Sequence, residues 1–279
     1  MKIAHVKLFK NNFKKQHKVK KSYIDSQFGQ LHFQVFGSGK PLILCHQSPS
    51  SLEMFNSAYP VLASLGVQSI GIDTPGYGQS DSPNQQPSIL DYAECVIDVI
   101  ESLNLEKVSL LGHHTGACIV AELAVIRPDL VDKVILNGPP LLSLDERNEM
   151  MEMIKKSPPI IPKEDGSHLV DLWKKRMGFT PGWTDLDAMQ RGIIQMLRAG
   201  PNDIFGFKAA FGQDLETIIK RINKPTMILT NTGDDIYFAA LRTRELRPDF
   251  KFLELQNGTH DIVDEQPNQW SKAVFNFIK

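Results

Sequence analysis

The amino-acid sequence predicts an α/β protein: a mostly parallel β-sheet flanked by helices, with a helical segment inserted before its last strands. Three observations predict it. Short runs such as Pro41-Leu-Ile-Leu-Cys45 are apolar and unbroken, as strands buried on both faces of a parallel sheet are. Such runs alternate with amphipathic helical segments, the rhythm of right-handed crossovers between parallel strands. From Leu141 to about Asn223 that rhythm stops, and helical segments with scattered breakers (Pro158-Pro159, Pro162, Pro181-Gly182, Gly200-Pro201) take its place.

Taken in order, Ser22–Gln27 and Gln30–Phe36 flank Phe28-Gly29 and alternate partly between apolar and polar residues, which predicts an antiparallel hairpin. Pro41–Cys45 is the first buried strand, and it ends in the loop His46-Gln47-Ser48-Pro49. Residues Ser51–Leu65 carry helical spacing at Leu52, Phe55, Ala58, Tyr59, Leu62 and Leu65, with Gly66 just beyond, where a helix end favours glycine. Val67–Ile72 is the next strand, running into Asp73-Thr-Pro-Gly-Tyr-Gly-Gln-Ser-Asp81, a loop whose turns need glycine and proline backbones and which Asp73 and Asp81 are expected to organise. Ser88–Leu103 is an amphipathic helix. Lys107–Leu111 and Lys133–Asn137 are further buried strands, the second closed by Pro139-Pro140. After the insertion come Pro225–Thr230, a helix near Tyr237–Leu246, the strand Lys251–Leu255, and a last helix from about Pro267 to Ile278.

This organisation predicts a basic N-terminal arm over 1–21, a core formed by 22–140 and 224–279, and a helical cap over 141–223. The cap is rich in Met, Phe and Trp, which suits an adaptable apolar roof over a pocket. Residues 1–21 hold eight lysines and no acid, leaving 23 basic against 32 acidic residues in the remainder, a net charge of −9 there. The arm is short and without arginine, so it reads as a solvated tail rather than a nucleic-acid or membrane element. No run of about 18 apolar residues could span a bilayer, and the N-terminus lacks the apolar core of a secretory signal, so a cytoplasmic protein is expected. Cys45, Cys95 and Cys118 lie apart inside apolar runs and read as buried, unreactive thiols.

The chemistry concentrates at Leu111-Gly112-His113-His114-Thr115-Gly116. Here an apolar β-rich run stops at a glycine and a small-residue helix begins, with a G-x-x-x-G frame between them that puts one side chain at the tip of a sharp turn. His114 stands where a G-x-S-x-G pattern has its nucleophilic serine. Sheets of this kind bind ligands along the edge where strands give way to helices, and His46, His114, Asp234 or Asp235, and His260 all fall there.

That order of residues resembles the α/β-hydrolase fold family, specifically its capped branch of esterases, epoxide hydrolases, haloalkane dehalogenases and carbon–carbon bond hydrolases, from about Ser22 to Lys279. Gln47, His114-Thr115 and Pro139-Pro140 together resemble a branch with HQ-x-P and GHHTG signatures. The resemblance implies that His260 is the catalytic histidine and Asp234 its acid, with Asp235 the alternate. It implies an oxyanion hole from the backbone N–H groups of Gln47 and Thr115. His46, Ser48, Tyr77 and Trp183 are candidate pocket residues, and His113 is structural. The departure is His114 in place of Ser, Asp or Cys, whose ring is expected to project into the pocket and meet His260.

The function expected is hydrolysis of a small, largely apolar carbonyl compound (an ester, a lactone or a C–C bond) by histidine-assisted attack of water. Alternatives are an acyl-imidazole formed on His114, a metal-dependent hydrolase in which two histidines and a carboxylate hold a divalent ion, and a non-catalytic ligand-binding homologue. Reading Thr115 as the nucleophile requires shifting the elbow by one residue. The favoured reading involves no cofactor and no metal, a small-molecule substrate, and no nucleic-acid or membrane partner. It leaves oligomeric state open.

Overall fold

The computed structural model describes residues 19–156, 160–180, 182 and 185–279. Eight strands form one sheet in the order β1-β2-β4-β3-β5-β6-β7-β8: β1 (Lys20–Ser26), β2 (Gly29–Gly37), β3 (Lys40–Cys45), β4 (Val67–Ile72), β5 (Val108–His113), β6 (Val131–Asn137), β7 (Thr226–Asn231) and β8 (Lys251–Leu255). β2 runs antiparallel to β1 and β4, and the other pairings are parallel. β1 takes in Lys20 and Lys21, which the sequence assigns to the basic arm, because both pair in register with β2, Lys20 opposite Val35.

Helices cover both faces of the sheet. On one side α1 (Tyr59–Ser64) and α11 (Pro267–Ile278) bury Tyr59, Leu62, Trp270 and Val274 against Leu44 and Leu111. On the other, α2 (Ile89–Ser102) and α3 (Thr115–Ile126) bury Val96, Ile100, Ala117 and Ala121 against Ile43 and Leu110. A capping box starts α2: the Ser88 hydroxyl accepts from the Asp91 N–H while the Asp91 carboxylate accepts from the Ser88 N–H.

Two expected elements differ. The helix expected over Ser51–Leu65 is a single turn at Leu52–Phe55 followed by α1. Pro60 lacks an N–H and cannot bond back one turn, so it fits only at the start of a new helix. β5 runs on past Leu111 to His113, because Gly112 pairs with both Cys45 and Leu136, and His113 pairs with Asn137.

Between β6 and β7 the chain is helical: α4 (Leu144–Lys156), α5 (Ser167–Gly178), α6 (Leu186–Ala199), α7 (Phe205–Gly212) and α8 (Leu215–Arg221). α8 returns to the sheet, burying Leu215 and Ile219 in the same core as α3. Of the expected apolar roof, Met189 is buried inside this insertion while Met153 and Phe179 are exposed. The helix α9 (Tyr237–Leu246) follows β7, and the short α10 (Ile262–Glu265) precedes α11. Among the described residues no helix is long and apolar enough to cross a membrane. Cys45, Cys95 and Cys118 are all free and buried, and burial pushes their thiols up to about 12.

Candidate active site

The turn between β5 and α3 is built by close backbone approach. A Cβ on Gly112 would lie 2.0 Å from the Gly116 carbonyl oxygen, and one on Gly116 would lie 2.1 Å from that of Cys45. Only glycines let α3 sit this near β3 and β5. His114, between them, has φ 47° and ψ −107°, a conformation that strains a non-glycine residue by roughly 1–3 kcal/mol. The strain is held from both sides: His114 N–H donates to Asn137 O at 2.9 Å, and Ala117 N–H donates to His114 O at 2.8 Å. Asn137 is itself anchored by the buried Trp270, whose indole N–H reaches its Oδ1 at 2.6 Å.

The His114 ring turns to Asp234. Its Nε2 lies 2.9 Å from Oδ2 and 3.1 Å from Oδ1, with the carboxylate fully buried. An ionised carboxylate only accepts, so Nε2 carries a proton toward Asp234 and Nδ1 is turned away from it. Gly138 makes room for this pair: with φ +56°, a Cβ there would stand 2.6 Å from His114 Cδ2 and 2.8 Å from Asp234 Oδ2. Burial acts to raise the Asp234 pKa, yet the facing imidazole and the Ile236 N–H, 3.0 Å from Oδ1, together hold the carboxyl far below the usual range. His113 sits behind, its ring centroid 4.5 Å from that of His114 at 83°. It is fully buried, and neither ring nitrogen has a hydrogen-bond partner among the described residues. Burial, and then the neighbouring His114, push its pKa well below the ordinary imidazole value, so it is neutral.

His260 keeps different company. Its Nδ1 is 3.4 Å from Asp235 Oδ2 and its Nε2 is 3.5 Å from Asp261 Oδ2, ion-pair distances without hydrogen-bond alignment. Burial lowers its pKa, but Asp235 and Asp261 outweigh burial and raise it overall. The loop that carries it is clamped: Thr259 N–H and hydroxyl donate to the Glu265 carboxylate, and Asn231 Nδ2 donates to Thr259 O. From α5, Arg176 pairs with Asp261, and the Phe179 ring meets the His260 ring edge-on at 6.3 Å. Arg191 of α6 pairs with Asp264 of α10 at 3.1 Å, so two cations of the helical insertion hold the segment beside His260.

The other residues singled out in the sequence are partly committed elsewhere. His46 is buried; its Nε2 accepts from Thr74 N–H at 3.1 Å, which places its proton on Nδ1, donated to Gln47 O at 2.9 Å. Both nitrogens bond to the backbone, and His46 braces the loop after β3. The Tyr77 hydroxyl accepts from Gly206 N–H at 2.7 Å and donates to Asp203 O at 3.2 Å, tying its loop to the helical insertion. Ser48 is buried under Gly206, and its N–H donates to Thr115 Oγ1 at 3.4 Å. The N–H groups of Gln47 and Thr115 have no acceptor among the described residues. Trp183 lies outside the described residues. Asp73 takes four hydrogen bonds, from His32, Leu52 N–H and Gln79 N–H on its carboxylate and from the Ser80 hydroxyl on its carbonyl.

Sequence reasoning missed Gly138, Arg176 and Gln195. Gln195 Oε1, on α6, accepts from Ser51 N–H at 2.8 Å and from the Ser50 hydroxyl, tying the helical insertion to the loop after β3. Gly138 sits directly before the proline pair, and a glycine at the end of a strand beside the elbow was the one available signal. The surface hollows of about 540 Å³ at Leu241–Phe252 and 380 Å³ at Gln86–Gln213 touch neither His114 nor His260.

With this fold and this strand–turn–helix geometry in place, comparison with known proteins is decisive: the sequence pattern of the alpha/beta hydrolase fold matches residues 40–267. The chain belongs to the α/β-hydrolase fold family. Within it, the chain is 31% identical over 134 residues to bifunctional epoxide hydrolase 2 of Rattus norvegicus, a match covering 46% of this chain and 24% of that protein. It is 36% identical over 110 residues to (E)-2-((N-methylformamido)methylene)succinate hydrolase of Acinetobacter baylyi, covering 38% of this chain and 41% of that one. The chain thus spans about a quarter to two-fifths of the length of these relatives. The solved structure of bromoperoxidase from Bacillus anthracis superposes with a TM-score of 0.79 at 20% identity over 93% of this chain and 99% of that one, a likeness of fold.

Proposed function

We propose that this α/β-hydrolase-fold protein hydrolyses a small, largely apolar carbonyl compound (an ester, a lactone or a C–C bond) without forming a covalent serine ester. The observation that carries the reading is the His114–Asp234 hydrogen bond at 2.9 Å, at the turn where the family's pattern puts its nucleophile. With Nε2–H committed to a buried carboxylate, His114 presents Nδ1 as a general base oriented by its acid, the logic that positions imidazoles in catalytic triads. Water loses a proton to Nδ1 and its oxygen attacks the carbonyl carbon. The oxyanion that develops is taken by the free N–H groups of Gln47 and Thr115, the second at the N-terminus of α3. His260, its pKa raised by Asp235 and Asp261, gives its proton to the leaving group as the bond to carbon breaks. One imidazole oriented by a buried carboxylate and a second whose pKa is raised by two others suit a base and an acid working together. That two relatives are hydrolases by name supports the reaction class.

The test is turnover of short-chain p-nitrophenyl esters and lactones by wild type, His114→Ala, His260→Ala and Asp234→Asn. Each substitution removes a group that moves or orients a proton, and a loss in kcat of about 10²–10⁴ is expected for each. Wild-type turnover that survives His114→Ala overturns the mechanism. A silent wild type, joined by ligand-induced thermal stabilisation, puts a binding role in its place.

A further inference from the structure

Beyond the hydrolytic reading, we propose that His113, His114 and Asp234 form a binding site for a divalent transition-metal ion. One ring nitrogen of each histidine and one oxygen of Asp234 lie within 4.8 Å of one another. Ligand atoms at 2.0–2.2 Å from a shared ion stand about 3 Å apart at a right angle, which is the spacing of His114 Nε2 and the two Asp234 oxygens, 2.9 and 3.1 Å. Two histidines and one carboxylate are a ligand set that borderline cations such as Zn²⁺, Co²⁺, Ni²⁺ and Fe²⁺ accept with positions left open.

Independent support comes from His113. A buried imidazole normally satisfies both nitrogens, and this one satisfies neither among the described residues. Its ring stands edge-on behind the His114 ring, 4.5 Å between centroids, which brings a third nitrogen to the pair. The Asp234 carboxylate is buried, and among the described residues its only charged or chargeable hydrogen-bond partner is His114. No residue needs to lose a proton overall: on binding, the His114 proton moves from Nε2 to Nδ1, and the ion takes the Nε2 lone pair. The loaded site carries a net charge of one plus. Metal binding and base action by His114 therefore exclude one another, because the ion's tautomer has no free Nδ1 lone pair.

The site is testable without any substrate. The full chain, stripped with chelator, is titrated with Co²⁺, following its visible d–d absorption, and then with Zn²⁺ in competition. One Co²⁺ per chain, displaced by Zn²⁺, is expected, with affinity at least tenfold weaker in Asp234→Asn and in His113→Gln and unchanged in His260→Ala. Circular dichroism checks that each variant folds. Should His113→Gln fail to fold, the near-isosteric Asp234→Asn together with His114→Gln decides. Absence of stoichiometric binding in wild type, or binding that survives Asp234→Asn, overturns the site; loss in His260→Ala with retention in His113→Gln assigns the ion to different ligands and overturns it equally.

Discussion

Two histidine–carboxylate pairs face the same sheet edge, and they are built on opposite plans. At the elbow, His114 meets a fully buried Asp234 in a hydrogen bond of 2.9 Å, on backbone fixed by glycine contacts and by Asn137. At the last loop, His260 stands 3.4 and 3.5 Å from Asp235 and Asp261, the first of them 56% exposed, with Arg176 paired to Asp261 and the Phe179 ring edge-on beside it, both from the helical insertion. The first pair is locked by the sheet. The second is set by Asp235 and Asp261 together with Arg176 and Phe179 from the helical insertion, so its electrostatics depend on both parts of the chain. The pairs also respond to pH in opposite senses. Asp234 has a folded-state pKa below its unfolded value, so its contribution to stability is present above about pH 4 and is lost on acidification. His260 has a raised folded-state pKa, so its contribution is full below about pH 6.5 and is lost as pH rises through the folded value.

The contrast breaks most completely at Gly138. Replacing it with alanine drives a Cβ into both His114 and Asp234 at a positive φ, and the expected result is a loss of about 1–3 kcal/mol in stability. A displaced His114 ring also lowers kcat by about 10², measured on whichever ester the wild type turns over. An alanine variant with wild-type kcat means the elbow pair does no chemistry. Next in size, Asp234→Asn keeps the shape but removes the charge, lowering stability by roughly 1–3 kcal/mol at pH 7. Its melting temperature converges with that of wild type as pH falls below about 4; a gap that persists in acid assigns the loss to packing alone.

Smaller effects sharpen the second pair. If His260 works as the protonated acid, the rate falls on the alkaline side, through a midpoint above the ordinary imidazole value. Asp261→Asn removes a carboxylate and also leaves Arg176 unpaired beside the ring, so it moves that limb to lower pH. Asp235→Asn moves it in the same direction and by less, because its carboxylate is more than half exposed and water and salt screen it. A limb that stays in place in both variants removes His260 from the titration.

Much of the fold was legible because its strands are buried on both faces and carry no polar interruption, as Pro41–Cys45 and Val67–Ile72 illustrate. The break in the helix at Pro60 was legible too and was overlooked for the apolar spacing around it. Within the site, His114, Asp234 and His260 stand out by their places after strands. Their partnership does not: Asp234 is 120 residues from His114, and which imidazole it faces depends on the missing side chain at Gly138 and on the way the His114 ring turns over it. The same holds for Arg176, whose role exists only because α5 lies over the last loop, a docking that no local spacing encodes.

The glycine contacts at 112 and 116 carry one more consequence. They place the backbone of the turn by main-chain packing, so the side chain at 114 is not what holds the turn in position. Histidine and aspartate codons differ by a single base, and serine lies two away. A lineage with this turn can change the reactive group at its tip by one mutation while every strand stays where it is, which makes the position a natural point for one reaction to give rise to another.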